Sequence, residues 1–129
     1  MKLVELKPGD WVLLNDEGIT REGTVVDIST SDHQVCANNG IQEFWYDLNQ
    51  VFGMPLNDHT MLRLGFEKMA SETGVKYGKG AFRVIAPSEN DFSNLEIWYR
   101  EDKRHFDHPV MVHELQNVHY QMTKMSLEA

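Results

Sequence analysis

The fold is decided by residues 6–28, which read LKPGDWVLLNDEGITREGTVVDI. The opening LKPGD is a turn signal, because proline and glycine both favour turns. Residues 11–14 follow as a short apolar strand, residues 15–18 interrupt it, and the pattern of residues 22–28 predicts a second strand. The stretch therefore predicts two short strands separated by a turn.

The same pattern of strands and turns continues to the middle of the chain. Three more strands are predicted, at residues 33–37, at residues 41–46 and from Val51 onward. The Asn38-Asn39-Gly40 segment suits a hairpin turn, because asparagine and glycine tolerate positive φ. One helical turn is predicted at residues 47–50. Five short strands at this spacing predict an SH3-like β-barrel over residues 1–56.

Residues 57–129 have a mixed pattern. Asn57 is a good N-cap for a two-turn helix that Gly65 ends. Further strands and a final helix are predicted at residues 66–69, 81–86 and 95–99 and from Pro109 to about Lys124. No linker long enough to separate independent domains is present. The sequence therefore predicts an α+β fold in which this half packs against the barrel as one structural unit.

The composition is that of a folded protein. The 129 residues are 41% hydrophobic and 25% charged, which suits a core with an ordinary surface. No apolar run approaches the roughly 18 residues that span a bilayer, and the N-terminal sequence lacks the features of a signal peptide. The single cysteine, Cys36, excludes an internal disulfide and a cysteine-rich zinc framework. We therefore expect a soluble cytoplasmic protein without a membrane partner.

The charge is unevenly distributed along the chain. Residues 1–56 carry 3 Lys and Arg against 9 Asp and Glu, whereas residues 57–129 carry 9 against 11. Nucleic-acid binding depends on clustered lysine and arginine that neutralise phosphates. The net charge of −8 therefore disfavours direct nucleic-acid binding, above all by the acidic predicted barrel.

The predicted final helix has two distinct faces at about 100° per residue. One face is apolar and comprises Met111, Leu115, Val118, Met122 and Met125. The opposite face carries four candidate binding residues, His113, Gln116, Asn117 and Tyr120. Such a face is either exposed to solvent or half-covered, with its amides hydrogen-bonded to the barrel or to a partner. In the second case the helix is the best functional lead.

Aromatic residues of the predicted barrel form a second candidate site. Alternation along the strand sends Tyr46 to one face and Trp45 to the other, so one large ring can remain at the surface with Trp11 nearby in the barrel. Acidic neighbours such as Glu43 and Asp47 favour a basic ligand, since aromatic rings attract cations. The alternative is that these rings fill the core of a small barrel.

A cluster of histidines and carboxylates precedes and enters the final helix. Its members are His105, Asp107, His108, His113, Glu114 and His119. These residue types bind zinc, but the spacing of the helical histidines differs from HExxH and places them on different helix faces. A metal site at His105, Asp107 and His108 is therefore disfavoured. The sequence predicts no cofactor and offers no catalytic residue.

Motifs along the whole chain carry a resemblance to a known family. They are Gly9-Asp10-Trp11-Val12, Pro55-Leu56-Asn57, Leu62 with Leu64-Gly65-Phe66, the run Val112 to Val118 and the end Met122-Thr123. In these motifs the chain resembles a family of small uncharacterised proteins common in Bacteroidetes genomes and their phages and mobile elements. It departs at Asn57, where members tend to have threonine, and at Met125, where a glycine usually follows the helix. The resemblance implies an N-terminal SH3-like barrel and no known activity.

Three function classes follow from these observations. The first is a noncatalytic interaction or accessory module of a phage or mobile element, which meets another protein or a second copy of itself. The second is a small metal-dependent enzyme that uses the cluster from His105 to His119. The third is a nucleic-acid-associated adaptor. The interaction module is the one that the sequence favours.

Overall fold

The computed structural model describes residues 1–129 as two five-stranded antiparallel sheets and two α-helices. The strands of the first sheet are β1 (Trp11–Asp16), β2 (Ile19–Ser29), β3 (Gln34–Asn38), β4 (Glu43–Asp47) and β5 (Val51–Phe52). Those of the second sheet are β6 (Glu67–Ser71), β7 (Gly74–Lys79), β8 (Phe82–Ala86), β9 (Leu95–Tyr99) and β10 (Asp102–Phe106). The helices are α1 (Asp58–Arg63) and α2 (Val112–Thr123). The predicted α+β class is confirmed.

The first sheet has the strand order β4-β3-β2-β1-β5. Its longest strand, β2, bends at a bulge between Val25 and Asp27, where the pairing with β3 shifts register. A 3-10 turn at Leu48–Gln50 precedes β5, at the position where the sequence predicts a helical turn. The sheet is open, with β4 and β5 as its edges, and the SH3-like barrel stays a prediction.

The second sheet is a meander in which every strand pairs with its neighbour along the chain, in the order β10-β9-β8-β7-β6. Two of its strands, β7 and β10, were not expected from the sequence. Glycines at positions 74 and 78 interrupt the pattern of β7. In β10, Asp-Lys-Arg-His-Phe includes no buried residue, because this strand lies at the edge of the sheet. Both strands are therefore specified by their partners more than by their own apolar pattern.

The two helices differ in how well the sequence places their ends. In α1, the Asn57 side chain accepts a hydrogen bond of 2.9 Å from the Thr60 N–H, as predicted for an N-cap. The prediction that Pro109 opens α2 is wrong by three residues. Met111 is held in a β-bridge with Pro55, and the Val112 N–H donates to the Met54 carbonyl, so the helix begins only at Val112. With 12 residues, α2 is too short and too polar to cross a membrane.

Two apolar clusters form the core. The larger contains 19 buried residues from the second sheet, both helices and the segments around them, and it includes Trp11 of β1. The smaller contains 8 buried residues, most of them on the inner face of the first sheet. Helix α2 buries residues on several sides, among them Leu115 and Val118 as well as His113 and Gln116. The helix therefore lies between the large core and the N-terminal segment.

Candidate functional site

Gln116 lies at the contact between α2 and the start of β1. Its side chain is fully buried and makes three hydrogen bonds. Oε1 accepts from the Trp11 N–H at 2.7 Å, while Nε2 donates to the carbonyls of Gly9 at 3.0 Å and Leu127 at 2.7 Å. All of its hydrogen-bonding atoms are used within the chain, so Gln116 fastens the helix to the first sheet and presents no surface to a ligand.

Asn117 extends this contact by one residue. Its Nδ2 donates to the Glu5 carbonyl at 3.0 Å and to Asp10 Oδ2 at 2.9 Å. The Asp10 carboxylate is itself buried and accepts from the Lys7 ammonium and from the Lys7 N–H. Tyr120, the fourth predicted face residue, is 44% exposed. Within the polar helix face, the two amides thus bind residues 5–11, and Tyr120 alone lies at the surface.

His113 is buried beside this contact. Neither of its ring nitrogens has a hydrogen-bond partner, and Nε2 lies 4.0 Å from Glu5 Oε2. Burial lowers the pKa of the His113 ring, which the carboxylates of Glu114, Asp10 and Glu5 partly oppose. The ring is therefore neutral near pH 7, and its two nitrogens are buried without hydrogen-bond partners.

The other histidines do not converge with His113. His105 lies on β10 and bonds Asn94 Oδ1, while His108 lies beyond the strand and pairs only with Asp107. His119 points to the C-terminal segment, where Nδ1 bonds the Met125 carbonyl at 2.9 Å. No three histidine, cysteine, aspartate or glutamate side chains lie together in a way that could hold a metal ion. The hypothetical cluster from His105 to His119 is therefore dispersed over a strand, a loop and a helix.

Trp11 and Tyr46 point into the protein. Trp11 is 3% exposed, its Nε1 donates to Glu22 Oε1, and the Arg63 guanidinium lies 4.5 Å from the centre of its ring. Tyr46 is 1% exposed, and its hydroxyl accepts from Asn39 Nδ2 at 2.9 Å. Both rings fill the core, which is the alternative that the sequence left open for them.

Trp45 points outward and is 42% exposed. Strand pairing sets Trp45 opposite Cys36, and Cys36 opposite Asp27, so the three side chains form a row across β4, β3 and β2 on the outer face of the first sheet. The Cβ atoms of directly paired residues in such a row are about 5 Å apart. Trp45 is therefore the one predicted barrel tryptophan that is available to a ligand.

Carboxylates surround Trp45. A shallow cavity of about 670 Å³ adjoins it and is lined by Asp27, Ile28, Ser29, Thr30, Ser31, Asp32, Gln34 and Trp45. The strand carries a carboxylate two residues to either side of the ring, at Glu43 and Asp47. We call Trp45 with Asp27, Asp32, Glu43 and Asp47 the acidic face. All four carboxylates are exposed, and none takes part in an ion pair.

The electrostatics of Cys36 report the charge of the acidic face. Burial raises the pKa of the Cys36 thiol, and the carboxylates of Glu43 and Asp27 raise it further. No lysine or arginine lies between Arg21 and Arg63 in the sequence, so this part of the first sheet supplies no cation of its own. The acidic face therefore has an uncompensated negative charge next to an exposed ring.

Sequence reasoning found part of the acidic face and missed the rest. It named Trp45, Glu43 and Asp47, which are neighbours along β4. It did not name Asp27 and Asp32, because their proximity depends on strand register and on the loop after β2. The signal that was available was the absence of lysine and arginine over residues 22–62.

Comparison with known protein families, with curated proteins and with solved structures finds no match to this chain. The geometry of the site is therefore the basis for a functional conclusion.

Proposed function

We propose that this chain is a noncatalytic interaction module that binds a lysine- or arginine-rich protein segment on the acidic face. The observation that carries the proposal is the exposed Trp45 ring surrounded by four carboxylates without ion pairs. A cation placed over a tryptophan face is stabilised by about 0.5–2 kcal/mol. Carboxylates at the rim add attraction and faster association.

The edge position of β4 supports an extended partner. One side of β4 pairs with β3, and the other side has no neighbouring strand. Its free N–H and C=O groups can accept an additional strand, a common mode of peptide recognition. In such a strand alternate side chains point to the same face, so every second residue of the partner reaches Trp45 and the carboxylates beside it.

The form of the first sheet agrees with this role. We infer that it is an opened version of an SH3-like barrel, on the basis of its bent β2 and the 3-10 turn before β5. Small barrels of this shape bind peptides at aromatic surfaces. The resemblance to the Bacteroidetes family adds the setting of a phage or mobile element, in which we propose an accessory role.

The proposal is tested by titrating the intact chain with a fluorescent Lys/Arg-rich peptide of about ten residues and measuring anisotropy. We expect saturable binding that weakens as salt increases, since exposed charges are screened. Trp45→Ala is expected to weaken binding about tenfold, a loss typical of a central aromatic contact. Asp27→Asn with Asp47→Asn is expected to do the same without removing a ring.

Trp98→Ala provides the matched control, because Trp98 is half-buried on the second sheet, away from the acidic face. This variant is expected to bind the peptide as the parent does. Equal binding of a Glu/Asp-rich peptide of the same length, or full binding by Trp45→Ala, would overturn the proposal. Circular dichroism of each variant shows that a loss of binding is not a loss of fold.

A further inference from the structure

The second sheet carries a tryptophan surface of opposite charge. Strand pairing sets Arg83 opposite Trp98 and Lys76 opposite Ile85, and it places all four on the outer face of the sheet. Arg100, two residues after Trp98, lies in the turn between β9 and β10. A shallow cavity of about 410 Å³ is lined by Lys76, Ala81, Arg83, Ile85, Trp98 and Arg100. We call Trp98 with Lys76, Arg83 and Arg100 the basic face.

The cations of the basic face are not neutralised within the chain. None of Lys76, Arg83 and Arg100 takes part in an ion pair. Glu96, on the same face, pairs with Lys103 at 3.5 Å and accepts from Trp98 Nε1, and the Lys103 ammonium lies 4.9 Å from the centre of the Trp98 ring, where it can meet a phosphate beside a base stacked on that ring. Three positive charges therefore remain available beside one aromatic ring.

Arg100 occupies an uncommon backbone position. Its φ is 57°, a left-handed conformation that glycine, asparagine and aspartate adopt more readily than arginine. The guanidinium lies 5.1 Å from the centre of the Tyr99 ring, which packs against the large core, and Arg100 also lines the cavity beside Trp98.

We propose that the basic face binds single-stranded nucleic acid, with one base against Trp98 and the neighbouring phosphates on Arg83, Arg100 and Lys76. Stacking of a base on an aromatic side chain and pairing of a guanidinium with phosphate are the two interactions by which proteins hold single strands without reading their sequence. The open form of the cavity suits a strand that passes across the sheet.

The chemistry of the face favours a single strand over a duplex. A duplex keeps its bases stacked on one another, so it offers phosphates but no free base for Trp98. The limited number of cations predicts weak binding with a shallow dependence on salt, because each phosphate contact with a single strand adds only about 0.7 to the slope of log K against log salt concentration. This site is independent of the acidic face, which lies on the other sheet.

The experiment measures anisotropy of a labelled single-stranded DNA of about twenty nucleotides mixed with the intact chain at low salt, about 50 mM. We expect saturable binding to oligo-dT and oligo-dA, and weaker binding to a duplex of the same length. Arg83→Ala with Arg100→Ala is expected to weaken binding at least about tenfold and to reduce the salt slope. Trp98→Ala is expected to weaken it by a similar factor with the salt slope unchanged.

Trp45→Ala serves as the control, since it removes an exposed tryptophan from the acidic face and leaves the basic face intact. Arg83→Gln with Arg100→Gln keeps most of the side-chain packing, so it tests the charges if the alanine variant fails to fold. Unchanged binding in these arginine variants, or no binding of the parent chain at low salt, would overturn the proposal.

Two further outcomes would also overturn it. If thymidine monophosphate displaces the oligonucleotide at an equal concentration of nucleotide units, the ligand is a free nucleotide. If sedimentation shows self-association that is lost both in the arginine variant and in Asp27→Asn with Asp47→Asn, the basic face instead binds the acidic face of a second copy.

Discussion

Both sheets have five antiparallel strands, and each carries a tryptophan on its outer face, yet they differ in what they bury. The second sheet contributes to a cluster of 19 buried residues, whereas the first has a cluster of 8. A unit of some fifty residues with so small a core is marginal by itself. Trp11 is the first residue of β1 in the first sheet, but its side chain packs in the larger cluster. The first sheet therefore depends on contacts outside it for its stability.

The outer faces of the two sheets differ in charge, just as their inner faces differ in the number of residues that they bury. Trp45 has four carboxylates around it, and Trp98 has three unpaired cations together with Lys103, which pairs with Glu96. The net charge of −8 conceals this separation, because it sums over both sheets. The net charge disfavours direct nucleic-acid binding by the chain as a whole, and the 9 Asp and Glu of residues 1–56 place that effect mainly on the acidic face. The basic face is locally positive, so the net charge does not decide what binds there.

The largest effect is expected where the first sheet meets α2. Gln116→Leu keeps the volume of the side chain and removes three buried hydrogen bonds, which leaves the Trp11 N–H and the carbonyls of Gly9 and Leu127 without partners. Buried groups left unpaired cost about 1–3 kcal/mol each, so we expect a loss of about 3 kcal/mol in the free energy of unfolding. Urea denaturation measures it.

Gln121→Leu is the matched control for this comparison. Gln121 is an exposed residue of the same helix and accepts a single hydrogen bond from Arg104. We expect its replacement to change stability by less than about 0.5 kcal/mol. If both variants lose the same stability, the dependence of the first sheet on Gln116 is refuted. In Gln116→Leu, faster amide exchange in β3 and β4 than in β7 and β8 would show that the lost stability is concentrated in the first sheet.

Local signals in the sequence were sufficient for most of the first sheet. Glycine and asparagine mark its turns, and apolar alternation marks its strands, so the ends of β1 to β4 and of the turn before β5 were placed within three residues. The same reasoning missed β7 and β10 and placed the start of α2 too early. The contact that delays α2 is distant in sequence, the Pro55 to Met111 bridge. By contrast, β7 and β10 pair with adjacent strands, and they were missed because glycines interrupt β7 and β10 has no buried residue.

The candidate sites likewise differ in how much of each can be predicted from the sequence. The periodicity of α2 identified Gln116 and Asn117 as unusual, but only the fold shows that they bind residues 5–11 and, in the case of Gln116, Leu127 as well. The sequence does not predict a site at Trp98, because its neighbours along the chain, LEIWYRED, do not form a cluster of cations. Lys76 and Arg83 reach it from β7 and β8 through strand pairing, and pairing is not visible in a single sequence.

The second largest effect is expected from acid. Burial lowers the pKa of His113 and of His119 below the ordinary value of 6.5. Below pH 6.5 the unfolded chain therefore binds more protons at these histidines than the folded chain does. Their contribution to the free energy of unfolding is present in full above pH 6.5 and is lost as the pH falls through the folded pKa values. Urea unfolding between about pH 5 and pH 8 measures the decline.

His113→Phe tests which part of this decline comes from the contact of α2 with the first sheet. The variant removes two buried ring nitrogens that lack partners, so stability near pH 7 is expected to hold or to increase. The acid decline is expected to become smaller, with the remainder due to His119. His59→Phe, at an exposed position of α1, is the control and should leave the decline unchanged. An identical decline in His113→Phe and the parent would contradict the assignment.

The smallest effect tests the charge difference between the two outer faces without any ligand. Cys36 is the single cysteine and lies between Asp27 and Trp45 on the acidic face, where burial and the carboxylates of Glu43 and Asp27 raise its thiol pKa. Since the thiolate is the reactive form, Glu43→Gln with Asp27→Asn should speed alkylation by iodoacetamide about twofold near pH 8. Glu96→Gln, on the second sheet, should leave the rate unchanged. The acceleration should disappear at about 1 M salt, where screening acts within about 3 Å, and an acceleration that persists there would mean that altered access to the thiol, rather than charge, distinguishes this face.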